Sequence, residues 1–398
     1  MPCLPGARAP RRLQRRERAM KVALIVTSLG VGGAETQVAN LADRLDAAGH
    51  SVLILSMIND LAVLPRSPSV RVEPLHVRKT PLTLALGYGR ACRLLRRFRP
   101  DVVHSHMVHA NLFARLLRLC APMPRLISTA HNTNEGGALL MWGYRVTDGL
   151  AHLTTNVSQE AVDRYIACAA VPAGKVIAVH NGIDCDHFRS EPALREATRT
   201  ALDVPPGHQV LLAAGRICEQ KDYPNLLRAF ALVLARRTDC LLWIAGEGGD
   251  QAAVEQLAVD LGIRDAVRFL GLRRDMHALM NAADIVVLSS AYEGFPLVVG
   301  EAMACERIVV ATDAGGVREW LGRSDHVVPT RDSPALAGAL MNALGMDAQS
   351  RALHGIAARE RVFRRFSLDA VVARWEDIYR GNVQQGAAAQ LSGSGEPG

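Results

Sequence analysis

The chain has 398 residues, with 46 Lys and Arg against 39 Asp and Glu, a net charge of +7, and 49% hydrophobic against 21% charged residues. That composition excludes a mainly disordered chain, which needs low hydrophobicity, and no stretch reaches the roughly 18–20 unbroken apolar residues of a membrane span. Residues 1–19 hold six arginines against Glu17, a net of +5, so only +2 of the +7 belongs to the rest and a nucleic-acid partner is disfavoured.

In chain order, residues 1–19 read as a Pro/Arg-rich disordered leader, with Met20 as the expected start of the fold. Met20–Val26 after an arginine pair has the look of an export signal. The Gly30-Val31-Gly32-Gly33 loop that follows, and then an amphipathic helix over Thr36–Ala48 closed by Gly49, favour a first β-strand at Val22–Leu29 instead. Further strands are expected at Val52–Met57, Val70–Leu75, Val102–His104, Leu126–Ala130, Leu153–Val157 and Lys175–Val179. A second series runs through Val210–Ala214, Leu241–Ala245, Val267–Leu270, Ile285–Leu288 and Ile308–Ala311. Strands alternating with helices imply parallel sheets covered on both faces. The expected fold class is therefore α/β, two doubly wound Rossmann-like domains facing a central cleft. The expected limits are 20–182 and 183–366, then a C-terminal helix at 367–380 and a disordered tail at 381–398.

Eight cysteines form no C-x-x-C pair, which argues against a zinc site or redox dithiol and for a reducing cytoplasm. Open parallel sheets bind ligands beyond the carboxyl ends of their strands, so residues just after strands carry the chemistry. Arg216 and Lys221 follow one such strand. They suit a diphosphate, although ordinary surface charges are the simpler reading of that loop alone. Glu293-Gly294-Phe295-Pro296 follows another, with Pro296 expected as the first helical residue and Glu301 further along that helix. Free amides at a helix start attract anions, and carboxylates beside them accept hydrogen bonds from sugar or ribose hydroxyls. The alternative is a local capping role for Glu301.

Two patterns invite a metal reading. Asp184-Cys185-Asp186 spells D-x-D, but it falls at the expected interdomain crossing. His104, His106 and His109 are not expected to share a face, which leaves His106 as a lone cleft residue. No metal and no cofactor are expected.

Together these segments resemble the family 4 glycosyltransferases of the GT-B fold. The second-half motifs are Gly215-Arg216…Lys221-Asp222, Gly246-x-Gly248, Glu293-Gly294-Phe295-Pro296…Glu301-Ala302-Met303-Ala304 and Gly315-Gly316. In the first half they are Gly32-Gly33-Ala34-Glu35, Asp101–His106, Thr129-Ala130-His131-Asn132 and Asn181-Gly182-Ile183-Asp184. The match spans about 20–380, with Gly249 and Arg318 standing where the family often has proline. The resemblance implies that Arg216 and Lys221 grip a donor diphosphate, Glu293 binds the donor sugar and Glu301 the ribose. It implies that Gly294, Phe295, Pro296 and Leu297 offer backbone near the phosphates, and that Gly32 and Gly33 allow close backbone approach. His131 would lie beside the transferred sugar, with His106 and Asn132 on the acceptor side.

The reaction implied is retaining, metal-independent transfer of a hexose or N-acetylhexosamine from a nucleotide sugar, uridine-linked. The acceptor would be a glycan or a polyprenyl- or other lipid-linked molecule in cell-surface polysaccharide or lipopolysaccharide synthesis. Two other readings stay open: a sugar-nucleotide epimerase on the same fold, and a non-catalytic sugar-nucleotide-binding subunit. Arg90, Arg93, Arg96, Arg97 and Arg99, with Leu94, Leu95 and Phe98, form a basic amphipathic stretch. It is either a solvated helix face or a peripheral contact with anionic lipid on the inner face of the cytoplasmic membrane.

Overall fold

The computed structural model describes residues 19–382 apart from 31, 133–136, 323 and 325. Almost all of the leader and of the tail lie outside the described residues.

Two parallel sheets form the molecule. The first contains β1 (Lys21–Val26), β2 (Ser51–Ser56), β3 (Arg71–Pro74), β4 (Val102–His106), β5 (Arg125–Ala130), β6 (Leu153–Asn156) and β7 (Val176–Ala178), in the order β3-β2-β1-β4-β5-β6-β7. The second contains β8 (Gln209–Ala214), β9 (Cys240–Ala245), β10 (Val267–Gly271), β11 (Ile285–Leu288), β12 (Ile308–Thr312) and β13 (Val327–Val328), in the order β10-β9-β8-β11-β12-β13. Central strands such as β4 and β9 are buried along their whole length, as strands covered on both faces must be. This is the two-domain α/β architecture expected, and the strand order reverses beside β1 and beside β8, where such sheets open a crevice.

The departures are local. The first helix starts earlier, at Gly33, and ends at Ala47, with Gly49 taking the left-handed turn that follows. The two-residue strand β13 carries too little apolar sequence to announce itself; only pairing with β12 defines it. Pro296 is the cap of helix Leu297–Ala304 and not its first residue, since its ψ of 108° is extended.

The chain leaves the first half at Ile183 and returns at Ser367, and these two crossings pair side by side. Ile183 N donates to Phe366 O, and Leu368 N donates to Ile183 O, at 2.8 and 2.9 Å. Helix Leu368–Arg380 then packs Val371, Val372, Trp375, Ile378 and Tyr379 into the core of the first sheet, against Val22, Leu24 and Leu41. The last helix in sequence is therefore part of the first half in space. Gln37 holds the outgoing crossing through both of its amide atoms, which bond Gly182 N and O at 2.9 and 2.7 Å.

Candidate active site

The carboxyl ends of both sheets meet in one cleft. Three glycines let the backbones approach there. A Cβ on Gly294 would lie 2.5 Å from the carbonyl oxygen of His131, and one on Gly33 would lie 3.3 Å from Leu297 Cδ1. Each is a contact between the first half and the second. Gly315, at φ +60°, lies so close to the carbonyl of Glu293 that no side chain fits. Glycine at these points brings His131, the Gly32-Gly33 loop and the start of helix Leu297–Ala304 to one place.

On the second-half side, β8 ends at Ala214, and Gly215 turns the chain with φ +152°. Tyr223 OH donates to Gly215 O at 2.9 Å and fixes that turn. Arg216 then projects exposed, with no hydrogen-bond or ion-pair partner among the described residues. A short turn at Glu219–Lys221 follows, and Asp222 caps the next helix through its side chain, donated to by Asn225 N.

Lys221 and Glu293, assigned to different parts of the donor by resemblance, are an ion pair in the structure. Lys221 Nζ lies 2.5 Å from Glu293 Oε1. Ser290 Oγ donates to the same oxygen at 2.7 Å, and Gln220 Nε2 donates to Oε2 at 3.4 Å. Ser289 Oγ donates to Lys221 O at 2.8 Å, which ties the lysine turn to the loop that bears the carboxylate. Ser290 and Gln220 are functional candidates that the sequence did not single out. Their only signal was position, one within the small-residue turn and one beside Lys221.

Glu301 is different. Its carboxylate has no hydrogen-bond or ion-pair partner among the described residues, and burial pushes its carboxyl up to about 7. A carboxylate in that position lacks donors from the protein, which is what a ligand carrying hydroxyl groups would supply. The side chain of Phe295 is buried, stacked on Trp320 at 4.3 Å, so only its backbone faces the cleft.

On the first-half side, His131 follows β5 and is neutral at physiological pH, burial having lowered it to about 4. Its Nε2 lies 3.2 Å from His106 Nδ1. His106 is only 3% exposed, so it lies beneath His131 and not open to the acceptor side. His104 and His106 share one face of β4 with ring centroids 4.0 Å apart, while His109 is exposed on the next helix. Asn132 is exposed beside His131, and its carbonyl accepts from Asn156 Nδ2 at 3.2 Å. Glu319, on the short helix Val317–Leu321, crosses back to the first half. It accepts from Gln159 N at 2.8 Å and meets His180 Nε2 at 2.5 Å.

The D-x-D pair is otherwise engaged. Arg44 meets Asp184 and Asp186 at 3.4 and 3.2 Å, and Arg66 meets Asp184 at 3.6 Å. Among the described residues no group of three His, Cys, Asp or Glu side chains is placed to hold a metal ion.

Two family models cover this architecture half by half. Residues 31–187 match Glycosyltransferase Family 4, and residues 208–345 match Glycosyl transferases group 1. The chain belongs to the family 4 glycosyltransferases. It is 34% identical over 394 residues to D-inositol 3-phosphate glycosyltransferase 2 of Catenulispora acidiphila, covering 89% of this chain and 91% of that one. It is 28% identical to the glycogen synthase of Mycobacterium tuberculosis, covering 88% and 91%. Among solved structures, Anabaena Alr3699/HepE in complex with UDP superposes with a TM-score of 0.80 at 23% identity, covering 91% of this chain and all of that one. That likeness establishes the GT-B fold of this glycosyltransferase.

Proposed function

We propose that this glycosyltransferase moves a hexose or N-acetylhexosamine from a UDP-sugar to a glycan or lipid-linked acceptor, with retention at the anomeric carbon and without a metal ion. The observation that carries the reading is the pairing of Lys221 with Glu293 beside the exposed Arg216, directly across Gly294 from His131. The UDP bound in the HepE structure supports the nucleotide.

In this reading Lys221 keeps one N–H on Glu293 and turns the others, with Arg216, to the diphosphate. The free amides at the start of helix Leu297–Ala304 face the same phosphates. Glu293 is held in place by three donors and accepts hydrogen bonds from the sugar hydroxyls through its remaining lone pairs. Glu301 takes the ribose diol, and Gly32 and Gly33 permit close backbone approach from the opposite wall.

Breaking the bond between sugar and diphosphate builds negative charge on the phosphate and positive charge on the ring. Arg216 and Lys221 are preorganised where the negative charge grows. The departing phosphate oxygen can itself accept the acceptor proton on the same face, so retention needs no protein base. His131, uncharged, does not repel the cationic ring.

The test is incubation of purified enzyme with a panel of UDP-sugars, with and without acceptor, following UDP release and the anomeric configuration of the product. Acceptor-dependent UDP release with an α-configured product from an α-linked donor is expected. Epimer formation without acceptor, or donor binding without turnover on any acceptor, would overturn the reading.

A lipid-linked acceptor rests on the outer face of the first half, and here the basic stretch needs redrawing. Leu94, Leu95 and Phe98 pack into the core below helix Pro81–Phe98, so they are not a membrane face. The exposed leucines lie upstream on that helix, Leu82, Leu84 and Leu86 at 70%, 45% and 65% exposure. Arg93, Arg96, Arg97 and Arg99 are exposed at its far end, while Arg90 is paired with Glu73 at 3.2 Å. No described helix is long and apolar enough to cross a membrane. Apolar surface with adjacent cations suits the plane of an anionic bilayer. Sedimentation with phosphatidylglycerol vesicles, but not phosphatidylcholine vesicles, is expected. Replacing Leu82, Leu84 and Leu86 by serine should weaken it at least several-fold, and equal sedimentation of wild type and variant would remove this surface.

A further inference from the structure

The two halves also touch at a place that none of the roles above uses. It centres on Glu319, in the middle of helix Val317–Leu321 of the second half. Its carboxylate reaches two groups of the first half. Oε1 accepts from Gln159 N at 2.8 Å, and Oε2 meets His180 Nε2 at 2.5 Å. Both side chains are half-buried. The backbone beneath Glu319 is itself held. Arg361 donates to Glu319 O at 3.0 Å and, through Nε, to Trp320 O at 2.6 Å.

Each contact has a physical reason. Gln159 opens helix Gln159–Ala167, and Ser158 caps that helix by accepting from Ala161 N at 3.2 Å. The first amide of a helix has no acceptor within the helix, and the helix dipole favours a carboxylate there. Glu319 supplies that acceptor from the other half of the molecule. His180 lies on Phe295 at 4.9 Å between ring centroids and meets Phe366 edge-on at 5.2 Å. Both phenylalanines pack on Trp320, the residue next to Glu319. A ring of the first half is thus seated in an aromatic cluster of the second, and Glu319 fixes its polar edge.

The same segment reaches the donor loop. Gly316, just before the helix of Glu319, donates its N–H to Gly294 O at 3.1 Å, and a Cβ on Gly316 would lie 3.1 Å from Ser158 Cβ. Gly294 is the glycine that abuts the carbonyl of His131. A continuous path of short steps therefore runs from helix Gln159–Ala167 through Glu319 and Gly316 to Gly294. One force opposes it. The Glu160 carboxyl is raised, by partial burial first and then by Asp313, Glu319 and Asp163, so closing the halves brings carboxylates of both together. Attraction offset by repulsion suits a contact that opens for donor entry and product release.

We propose that Glu319 is a positioning residue. By capping helix Gln159–Ala167 from across the cleft and pairing with His180, it sets the spacing between the loop at 293–296 and His131 at which the sugar is transferred. It acts through Gly316 and Gly294, not on the substrate. This rests on the reading that transfer takes place between that loop and His131. Arg216, Lys221, Glu293 and Glu301 all belong to the second half, so UDP binds without the contact, and its effect falls on the transfer step.

The test compares Glu319→Ala and Glu319→Gln with wild type by small-angle X-ray scattering, UDP-release kinetics and calorimetric titration with UDP. Glu319→Ala should enlarge the radius of gyration of the free enzyme. It should lower kcat about tenfold, as expected for losing a hydrogen bond to a charged group, while UDP affinity stays within about twofold of wild type. Glutamine keeps an acceptor for Gln159 N and should recover most of the loss. His180→Phe keeps a ring on Phe295 without the polar partner, and its loss should not add to that of Glu319→Ala in the double variant. Unchanged scattering in Glu319→Ala, additive losses, or UDP affinity falling in step with kcat would overturn the proposal. The two readings fail differently. Wild-type enzyme without acceptor-dependent turnover overturns the reading of the reaction. Wild-type enzyme that turns over, matched by Glu319→Ala in rate and in shape, overturns this one alone.

Discussion

Lys221→Ala lowers turnover by about 10²–10³-fold, the loss typical of removing one preorganised group from a charge-developing transition state. The structure adds a consequence that a free surface lysine would not have. Glu293 is almost wholly buried, and Lys221 is its cation. Alanine at 221 strands that carboxylate with only Ser290 and Gln220 as donors. Removing one partner of a buried pair is strongly destabilising because the other is left uncompensated. A lower melting temperature therefore accompanies the loss of activity, and Lys221→Ala with Glu293→Gln regains the stability without the activity. Circular dichroism melting and UDP-release rates on the single and double variants separate the two effects. Wild-type turnover in Lys221→Ala would remove it from the phosphate site.

Glu301→Gln weakens UDP binding by about ten- to hundredfold, the range for hydrogen bonds made to a charged group. It also stabilises the free enzyme above neutral pH. The carboxyl titrates near 7 in the fold because burial disfavours its charged form, against an ordinary carboxyl value in the unfolded chain. A raised carboxyl is at its most favourable below the ordinary carboxyl range, and the fold loses that advantage as pH rises towards and through 7. Wild-type melting temperature therefore falls between about pH 5 and 8 by more than that of Glu301→Gln. Calorimetric titration with UDP and melting across that range check both halves. Unchanged UDP affinity contradicts the ribose assignment, and parallel pH profiles contradict the buried charge.

The two predictions share one physical theme. Glu293 is matched by protein donors before any ligand arrives, whereas Glu301 is left for the ligand to satisfy. A site that binds a polyhydroxyl molecule needs both kinds, one rigid for direction and one unsatisfied for affinity.

Much of this was legible in the residues. Alternating apolar runs located every strand but β13, because strands covered on both faces are largely apolar. Gly294 and Gly315 were legible as loop glycines, but not that one faces a carbonyl from the other half and the other the Glu293 carbonyl of the neighbouring loop. Leu94, Leu95 and Phe98 showed amphipathic spacing, and that spacing is the same whether the apolar side meets a core or a lipid surface. His104 and His106 were legible as alternating strand residues. Residues i and i+2 share a face, yet what that face meets is contributed by a helix some 270 positions later.

The sequence alone determined two parallel α/β halves with glycine turns, cations and carboxylates just beyond their strand ends. Periodicity and turn chemistry act locally, within one strand, loop or helix. The Lys221–Glu293 pair, the unsatisfied Glu301, the capture of Asp184 and Asp186 by Arg44 and the ring stack under His131 were decided only by the tertiary structure. Each joins residues from separate elements, and no local spacing records which side chains a fold will bring within hydrogen-bonding distance.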